Sequence, residues 1–184
     1  METISSPVAT LTVLDPDMPL SIAYAEGLTK DVDTVLGDVE TLNDTEISVH
    51  GLCTHACRHA GRKVFLRGSE RRQVLRIEAG EIGGFDHVNC TGKKLCVRGI
   101  LREQRIDENF LQRWEARLRE RQSQGHSDPL GGCSADRQSR GETAITVEDR
   151  IAAFREKIAK RTEESGKDYL SFYHIVAKDY TILP

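Results

Sequence analysis

Aromatic residues are scarce in this sequence. Phe, Tyr and Trp make up 5% of its 184 residues, and there is a single Trp. No apolar run approaches the roughly 18 residues that a membrane helix needs, so no membrane span is predicted. No Lys or Arg precedes Lys30, so the basic start of a secretory signal and the Arg-rich pattern of a transit peptide are both missing. As written, the sequence predicts a cytoplasmic protein, whereas a trimmed or misassigned N-terminus would allow export or lipid anchoring.

The sequence also lacks the motifs of the common enzyme classes. It has no serine or cysteine nucleophile motif, no phosphate loop and no dinucleotide-binding fingerprint, which favours a non-enzymatic protein. Its five cysteines are an odd number, so they cannot all pair within the chain, and none forms a CxxC motif. Thiol redox chemistry at Cys57, where Arg58 and His59 would favour the thiolate, is one alternative.

The net charge of −3 conceals an uneven distribution. Ten acidic residues and one basic residue precede Gly51, whereas the remainder carries 25 bases and 19 acids. From Arg58 to Arg76 there are seven bases and a single acid, Glu70. A basic hairpin attracts phosphate, so this segment predicts a surface for single-stranded nucleic acid, with a merely solvated charged face as the alternative. The candidate nucleic-acid-binding residues are Arg58, Arg62, Lys63, Phe65, Arg67, Arg71, Arg72 and Arg76.

Cysteine and histidine alternate along one stretch of the chain. Cys53, His55, Cys57 and His59 occupy every second position, and in an extended strand such residues share one face. Thiolates and imidazoles bind soft and borderline metals, so these four residues predict a site for Zn²⁺ or a copper ion. On a straight strand they would span roughly 20 Å, so the chain must turn near Cys57 if all four share one ion. The alternative is that Cys53 continues the apolar face of the strand and is buried.

The order of the predicted elements indicates a mainly β protein with appended helices. Apolar runs predict strands near 45–50, 64–66, 74–77 and 94–101, then a helical excursion over 106–166 and a closing strand within 169–183. A strand that arrives last must pair with the early sheet, and closure into a barrel removes exposed edges. Gly51 and Gly99 interrupt strands, as glycines do at bulges and barrel corners. We therefore predict a five-stranded OB-like Greek-key barrel with the helices inserted before its last strand, and an open α+β sheet is the alternative.

The sequence predicts two parts. Residues 1–44 form an acidic segment that is irregular to about residue 30 and then holds a short helix with Asp31 as its N-cap. Residues 45–184 form the barrel domain. Within its helical excursion, the Gly- and Ser-rich stretch 122–145 predicts a flexible loop between a helix capped by Asp107 and a helix that begins after Thr146 and ends at Gly166.

Three runs in this order, GLCTHACRHAGRKVFLRG, RIEAGEIGGFD and VRGILREQRIDENFLQRWE, resemble a group of small bacterial OB-fold proteins. The similarity covers roughly Thr45 to Leu118 and the final strand, and the CxHxCxH run with its Gly-Arg-Lys turn is the most specific part. The fold of that group is similar to the barrels that bind tRNA anticodon loops, and its members are mostly uncharacterised and labelled as nucleic-acid binders. The sequence departs from the group in lacking an export signal and in its longer Gly/Ser-rich segment after Arg121.

Together these features predict a non-enzymatic OB-fold binding module whose Cys/His patch binds Zn or Cu. The first alternative is single-stranded nucleic-acid binding through the basic hairpin at 58–76, and the second is a thiol redox protein. The predicted partner is accordingly a metal ion or a single-stranded nucleic acid.

Overall fold

A closed β-barrel is the centre of the computed structural model, which describes residues 15–57, 61–121, 134–144 and 146–184. In these ranges the strands are β1 (Lys30–Asp31), β2 (Glu46–Ala56), β3 (Lys63–Arg67), β4 (Val74–Glu78), β5 (Lys94–Asp107) and β6 (Tyr169–Ile182). Their hydrogen-bonded order is β1-β2-β3-β4-β6-β5, and β5 also pairs with β2. The strands β2 to β6 therefore close on themselves, which confirms the predicted five-stranded, OB-like barrel.

The C-terminal strand completes the barrel by pairing on both of its sides. Strand β6 runs antiparallel to β5 from Asp107↔Tyr169 to Leu95↔Ile182, and parallel to β4 around Ile77↔Ile175. Parallel neighbours require a long crossover connection, and the helical insertion between β5 and β6 belongs to that connection. The open α+β sheet is thereby excluded.

Alternation along the strands places an apolar core inside the barrel. Val64, Leu66, Leu75 and Ile77 have no exposed area and meet residues of β2, β5 and β6 there. The predicted irregularity at Gly99 is confirmed, because the β5–β6 register shifts between Arg98 and Gly99.

Gly51 precedes Leu52, where β2 passes from pairing with β5 to pairing with β3, which fits the predicted barrel corner rather than a bulge. The pairing of β2 with β5 is regular at Gly51↔Leu95, and the shift in β2 falls between Cys53 and His55 instead. Gly51 is needed for close packing, because a Cβ there would lie 2.8 Å from the Val32 side chain.

Short helices cover the barrel on its N-terminal side. They are α1 (Leu20–Ala25), α2 (Val32–Gly37) and α3 (Val39–Leu42). The Asp31 side chain accepts a hydrogen bond from the Thr34 amide, which confirms it as the N-cap of α2. Helix α1 and strand β1 lie in the stretch predicted to be irregular, so that prediction is wrong for residues 20–25 and 30. A 3₁₀ turn (Gly80–Ile82) and helix α4 (His87–Cys90) connect β4 to β5.

The insertion before β6 contains helices α5 (Glu108–Arg121), α6 (Ser134–Ser139) and α7 (Val147–Ser165). Strands β5 and β6 extend beyond the barrel as a two-stranded ribbon, and α5 and α7 pack on it around Trp114 and Phe154. Thr146 caps α7 and Gly166 ends it with a left-handed conformation, as predicted. Helix α6 corrects the flexible-loop prediction for residues 134–139. Among the described helices, none has both the length and the apolar character needed to cross a membrane.

Candidate nucleic-acid interface

The outer face of β3 and β4 is the surface that OB barrels use for ligands. In OB folds, oligonucleotides bind across the second and third barrel strands, beside the loops that follow the first and fourth strands. Here the second and third barrel strands are β3 and β4, and the loop after the fourth is the insertion that contains α5 to α7. Phe65 and Arg76 are cross-strand partners on this outer face, because Leu66 and Leu75 face the core.

The basic hairpin presents only part of its charge to solvent. Arg62, Arg71 and Arg72 are exposed, whereas Lys63 and Arg67 are half-buried. Arg76 is 8% exposed and Phe65 is 0% exposed. Phe65 is one of the candidate nucleic-acid-binding residues, and its complete burial leaves no ring surface open to a base in this conformation, so its role in binding stays a prediction. Arg58 lies outside the described residues.

Helix α6 contacts this face through the carboxylate of Asp136. Asp136 is 1% exposed, and its oxygens accept hydrogen bonds from Lys63 Nζ at 2.8 Å, Arg76 Nη1 at 3.2 Å and Arg140 Nη1 at 3.0 Å. Burial raises the pKa of the Asp136 carboxyl, but the hydrogen bond from Lys63 and the charges of Arg140, Lys63 and Arg76 outweigh this effect. The net pKa lies below the ordinary value, so Asp136 is an ionised carboxylate at neutral pH.

A chain of alternating charges connects the barrel face to the inserted helices. Arg140 Nε donates to Glu142 at 2.8 Å, and Arg150 Nε donates to the same carboxylate at 2.6 Å. The Arg150 guanidinium in turn lies 4.9 Å from the centre of the Trp114 ring. Each buried charge in this chain contacts a charge of opposite sign, and this pairing offsets the free-energy cost of removing the charges from water.

The loop between β3 and β4 carries the exposed arginines in a fixed position. The amide of Ser69 donates to both carboxylate oxygens of Asp33 in α2, at 3.2 and 2.9 Å. The amide of Gly68 donates to the carbonyl of Gln73 at 2.7 Å and closes the loop. Arg71 and Arg72 therefore project from an anchored turn at the end of the hairpin.

A cleft of about 320 Å³ opens beside Arg76. Its polar wall includes Arg76, Ser139 and Arg140, and its apolar wall includes Leu36 and Val39. The cleft thus separates α6 from the N-terminal helices. Two cationic side chains line it, which suits an anionic group.

The predicted cysteine/histidine face is divided by the irregularity in β2. Cys53 is 0% exposed in the barrel core, and Ala56 is also buried there. The register shift lies between them, so His55 instead pairs with Phe65, with the two rings 5.8 Å apart. Cys53 therefore continues the core face of Ile47 and Val49, which was the alternative interpretation.

The candidate metal ligands are only partly described. His59 lies outside the described residues, Cys57 is half-buried, and the described part of the chain contains no cluster of three or more His, Cys, Asp or Glu residues suited to an ion. Burial and the neighbouring Cys90 thiol raise the pKa of Cys53 to about 11. A thiol must lose its proton to bind a metal, so Cys53 is poorly suited to do so. Metal binding by the other three residues stays a prediction.

The remaining described cysteines are buried apart from one another. Cys90 belongs to the barrel core, whereas Cys96 lies outside the barrel with Leu20 and Leu183. Burial raises the pKa of both thiols, and that of Cys96 reaches about 11. Cys53, Cys57, Cys90 and Cys96 are all free thiols.

No protein-family model matches the chain, and no curated protein matches it.

Asp136 and Arg140 are site residues that sequence analysis did not identify. Their spacing of four residues is that of an ion pair on a helix, and it was the available signal. That signal is weak within a stretch rich in Gly and Ser. Nothing in the local sequence indicates that Asp136 contacts Lys63 and Arg76, which are 73 and 60 residues away.

Proposed function

We propose that the protein is a non-enzymatic binding module that binds single-stranded nucleic acid on the outer face of β3 and β4. The observation that carries the proposal is the placement of cations on this face. Lys63 and Arg76 lie on the two strands, and Arg71 and Arg72 project from the loop that joins them. Strands two and three of an OB barrel are the usual oligonucleotide surface, and clustered cations provide affinity for the phosphate backbone.

The proposed interaction is made mainly with phosphates. Aromatic side chains that stack on bases supply much of the affinity of many single-strand binders, but Phe65 is fully buried here. Contacts from arginine and lysine to phosphate carry little sequence information. We therefore expect weak sequence preference and a strong dependence on salt.

Nucleic-acid binding has more support than the two alternatives. A metal site needs ligands that share one face, and Cys53 lies in the core while His55 faces Phe65 on the outside. Thiol redox chemistry was predicted at Cys57, which is half-buried, and the other described thiols add no support, because burial raises the pKa of Cys53, Cys90 and Cys96. By contrast, the exposed arginines of the hairpin need no rearrangement to meet a polyanion.

The first prediction concerns Arg71 and Arg72. We expect the double variant Arg71→Glu with Arg72→Glu to lose at least about tenfold in affinity for a fluorescein-labelled single-stranded oligonucleotide at low salt. The plot of log affinity against log salt should become shallower by about 1.4, because single strands contribute about 0.7 for each phosphate contact. Fluorescence anisotropy from 25 to 300 mM salt measures both quantities.

The matched control carries the same charge change on the exposed side of helix α5. Arg113 and Arg117 are exposed on α5, and the variant with both changed to Glu should bind with nearly the wild-type affinity and slope. Equal losses in the two double variants would mean that only net charge matters and would contradict a site on the hairpin. The proposal also fails if wild-type protein binds neither single-stranded DNA nor RNA at low salt.

A further inference from the structure

The carboxylate of Asp136 is bound by cations from both strands of the hairpin, β3 and β4. We propose that Lys63 and Arg76 form a phosphate-binding site, and that Asp136 of α6 fills this site in the absence of ligand. The inference rests on the proposed function. It adds the position at which one backbone phosphate binds, and it identifies Asp136 as the group that competes with that phosphate. Lys63 belongs to β3 and Arg76 to β4, and both donate to Asp136.

Charge, rather than apolar packing, holds α6 on this face. Asp136 is the buried residue of the helix, whose other members are Ser134, Ala135, Arg137, Gln138 and Ser139. Among the described residues, none of the three apolar clusters contains a residue of α6. A contact made by ion pairs is open to competition from another anion, whereas an apolar contact is not.

Displacement by a phosphate would leave each charge with a partner. Arg140 lies four residues after Asp136 on the same segment, so this pair at 3.0 Å can move as a unit. A phosphate would then replace the carboxylate on Lys63 and Arg76. Removing one partner from a buried ion pair is strongly unfavourable, so α6 should stay in place until an anion arrives.

The cleft beside α6 gives a ligand a way in. Arg76 and Arg140 line it between α6 and the N-terminal helices, and its volume of about 320 Å³ is sufficient for a phosphate.

The second prediction tests the competitor directly. Asp136→Asn weakens the internal contact and leaves Lys63 and Arg76 in place, so the oligonucleotide should bind about tenfold more tightly, as expected when a larger fraction of molecules is competent to bind. Lys63→Gln should weaken binding instead. The control is Glu156→Gln, which removes one negative charge from an exposed position of α7 and should leave the affinity unchanged. Thermal melting followed by circular dichroism checks that each variant is folded.

A second measurement uses the wild-type chain and so does not depend on the stability of a variant. A saturating single-stranded oligonucleotide should speed hydrogen exchange at the backbone amides of residues 136–140, because it lifts α6 from the barrel. Slower or unchanged exchange there, or Asp136→Asn protein that is folded and binds no better than wild type, overturns the inference. If the hairpin arginines are still required in that case, the proposed function survives. If neither wild type nor Asp136→Asn binds any oligonucleotide, both proposals fail.

Discussion

His174 lies next to the cations of the ligand face and is itself largely enclosed. It pairs with Arg76 across β4 and β6, and its Nε2 is 3.7 Å from Glu78 Oε2. Burial lowers its pKa, the Glu78 carboxylate opposes this change, and the charges of Arg76, Lys63 and Arg102 add to it. The folded protein therefore favours the neutral imidazole.

The third prediction follows from the direction of this pKa change. The unfolded chain takes up a proton at His174 at about pH 6.5, before the folded protein does, so unfolding becomes easier as pH falls through that value. The stability that the neutral His174 contributes to the folded protein is present above about pH 6.5, and it is lost as the pH falls towards the lower pKa of His174 in the folded state. His174→Asn should therefore make the free energy of unfolding depend less on pH between 5.5 and 7.5, as measured by urea titration.

Two other histidines define the control for that experiment. Burial also lowers the pKa of His50, so some pH dependence should remain in the His174 variant. His87 is exposed on α4, and His87→Asn should keep the wild-type pH profile. If His174→Asn and wild type have the same dependence on pH, the enclosed neutral imidazole is not the cause.

Single residues also mark where sequence reasoning succeeds and where it fails. Asp31 and Thr146 were recognisable as helix caps because their role depends on residues three positions away. The strand-face assignment of Cys53 and His55 failed because one register shift reverses every side chain after it. Such a shift depends on the partner strand, so the local pattern does not reveal it.

At the scale of elements, β5 depends on a close approach to β6. The register between them shifts beside Gly99, which pairs with Ala177. A Cβ at Gly99 would lie 2.7 Å from Ile175 Cγ2 and 2.9 Å from Ala177 Cα, and closer still to the Val176 carbonyl oxygen. Most of these atoms belong to the backbone of β6, so they cannot move aside without disturbing the barrel.

The fourth prediction is that Gly99→Ala destabilises the protein by about 1–3 kcal/mol, the usual cost of overpacking. Gly37→Ala is the matched substitution, because a Cβ at the end of α2 meets nothing within 4 Å. That variant should be neutral or gain up to about 1 kcal/mol, because alanine favours the helix over glycine. Urea unfolding of both variants measures the difference. If Gly99→Ala and Gly37→Ala have the same free energy of unfolding, the backbone of β6 can move enough to accommodate the added Cβ.

Among the elements, those with strong periodicity were predictable and α6 was not. The helical spacing of Phe110, Leu111, Trp114 and Leu118 predicted α5. These residues form an apolar stripe, and in the structure that stripe packs on the ribbon. Helix α6 has six residues and no apolar stripe, and it is held by contacts to distant cations. Its position follows from tertiary ion pairs, which no local window contains.

At the scale of the whole molecule, two apolar clusters share the same pair of strands. Leu101 and Ile175 belong to the barrel core, whereas Ile106 and Leu170 belong to the cluster under α5 and α7. Strands β5 and β6 are each continuous from one cluster to the other. The barrel itself was predictable because a final strand has few ways to remove the edges of an early sheet. The extension of β6 beyond the barrel was not predictable. Its barrel part and its ribbon part are both apolar, so the sequence pattern does not show where the barrel ends.

The fifth prediction is that the two clusters unfold together. Phe154 is 1% exposed, its ring lies 6.2 Å from that of Trp114, and Phe154→Ala should cost about 3–5 kcal/mol. Because β5 and β6 bridge the clusters, this loss should appear equally in Trp114 fluorescence during urea unfolding and in hydrogen exchange at the Leu66 and Leu75 amides of the barrel. Val88→Ala, at an exposed position of α4, should change both readouts by less than about 0.5 kcal/mol. Barrel amides that keep wild-type protection while the fluorescence transition moves to lower urea would mean that the helical insertion unfolds separately from the barrel.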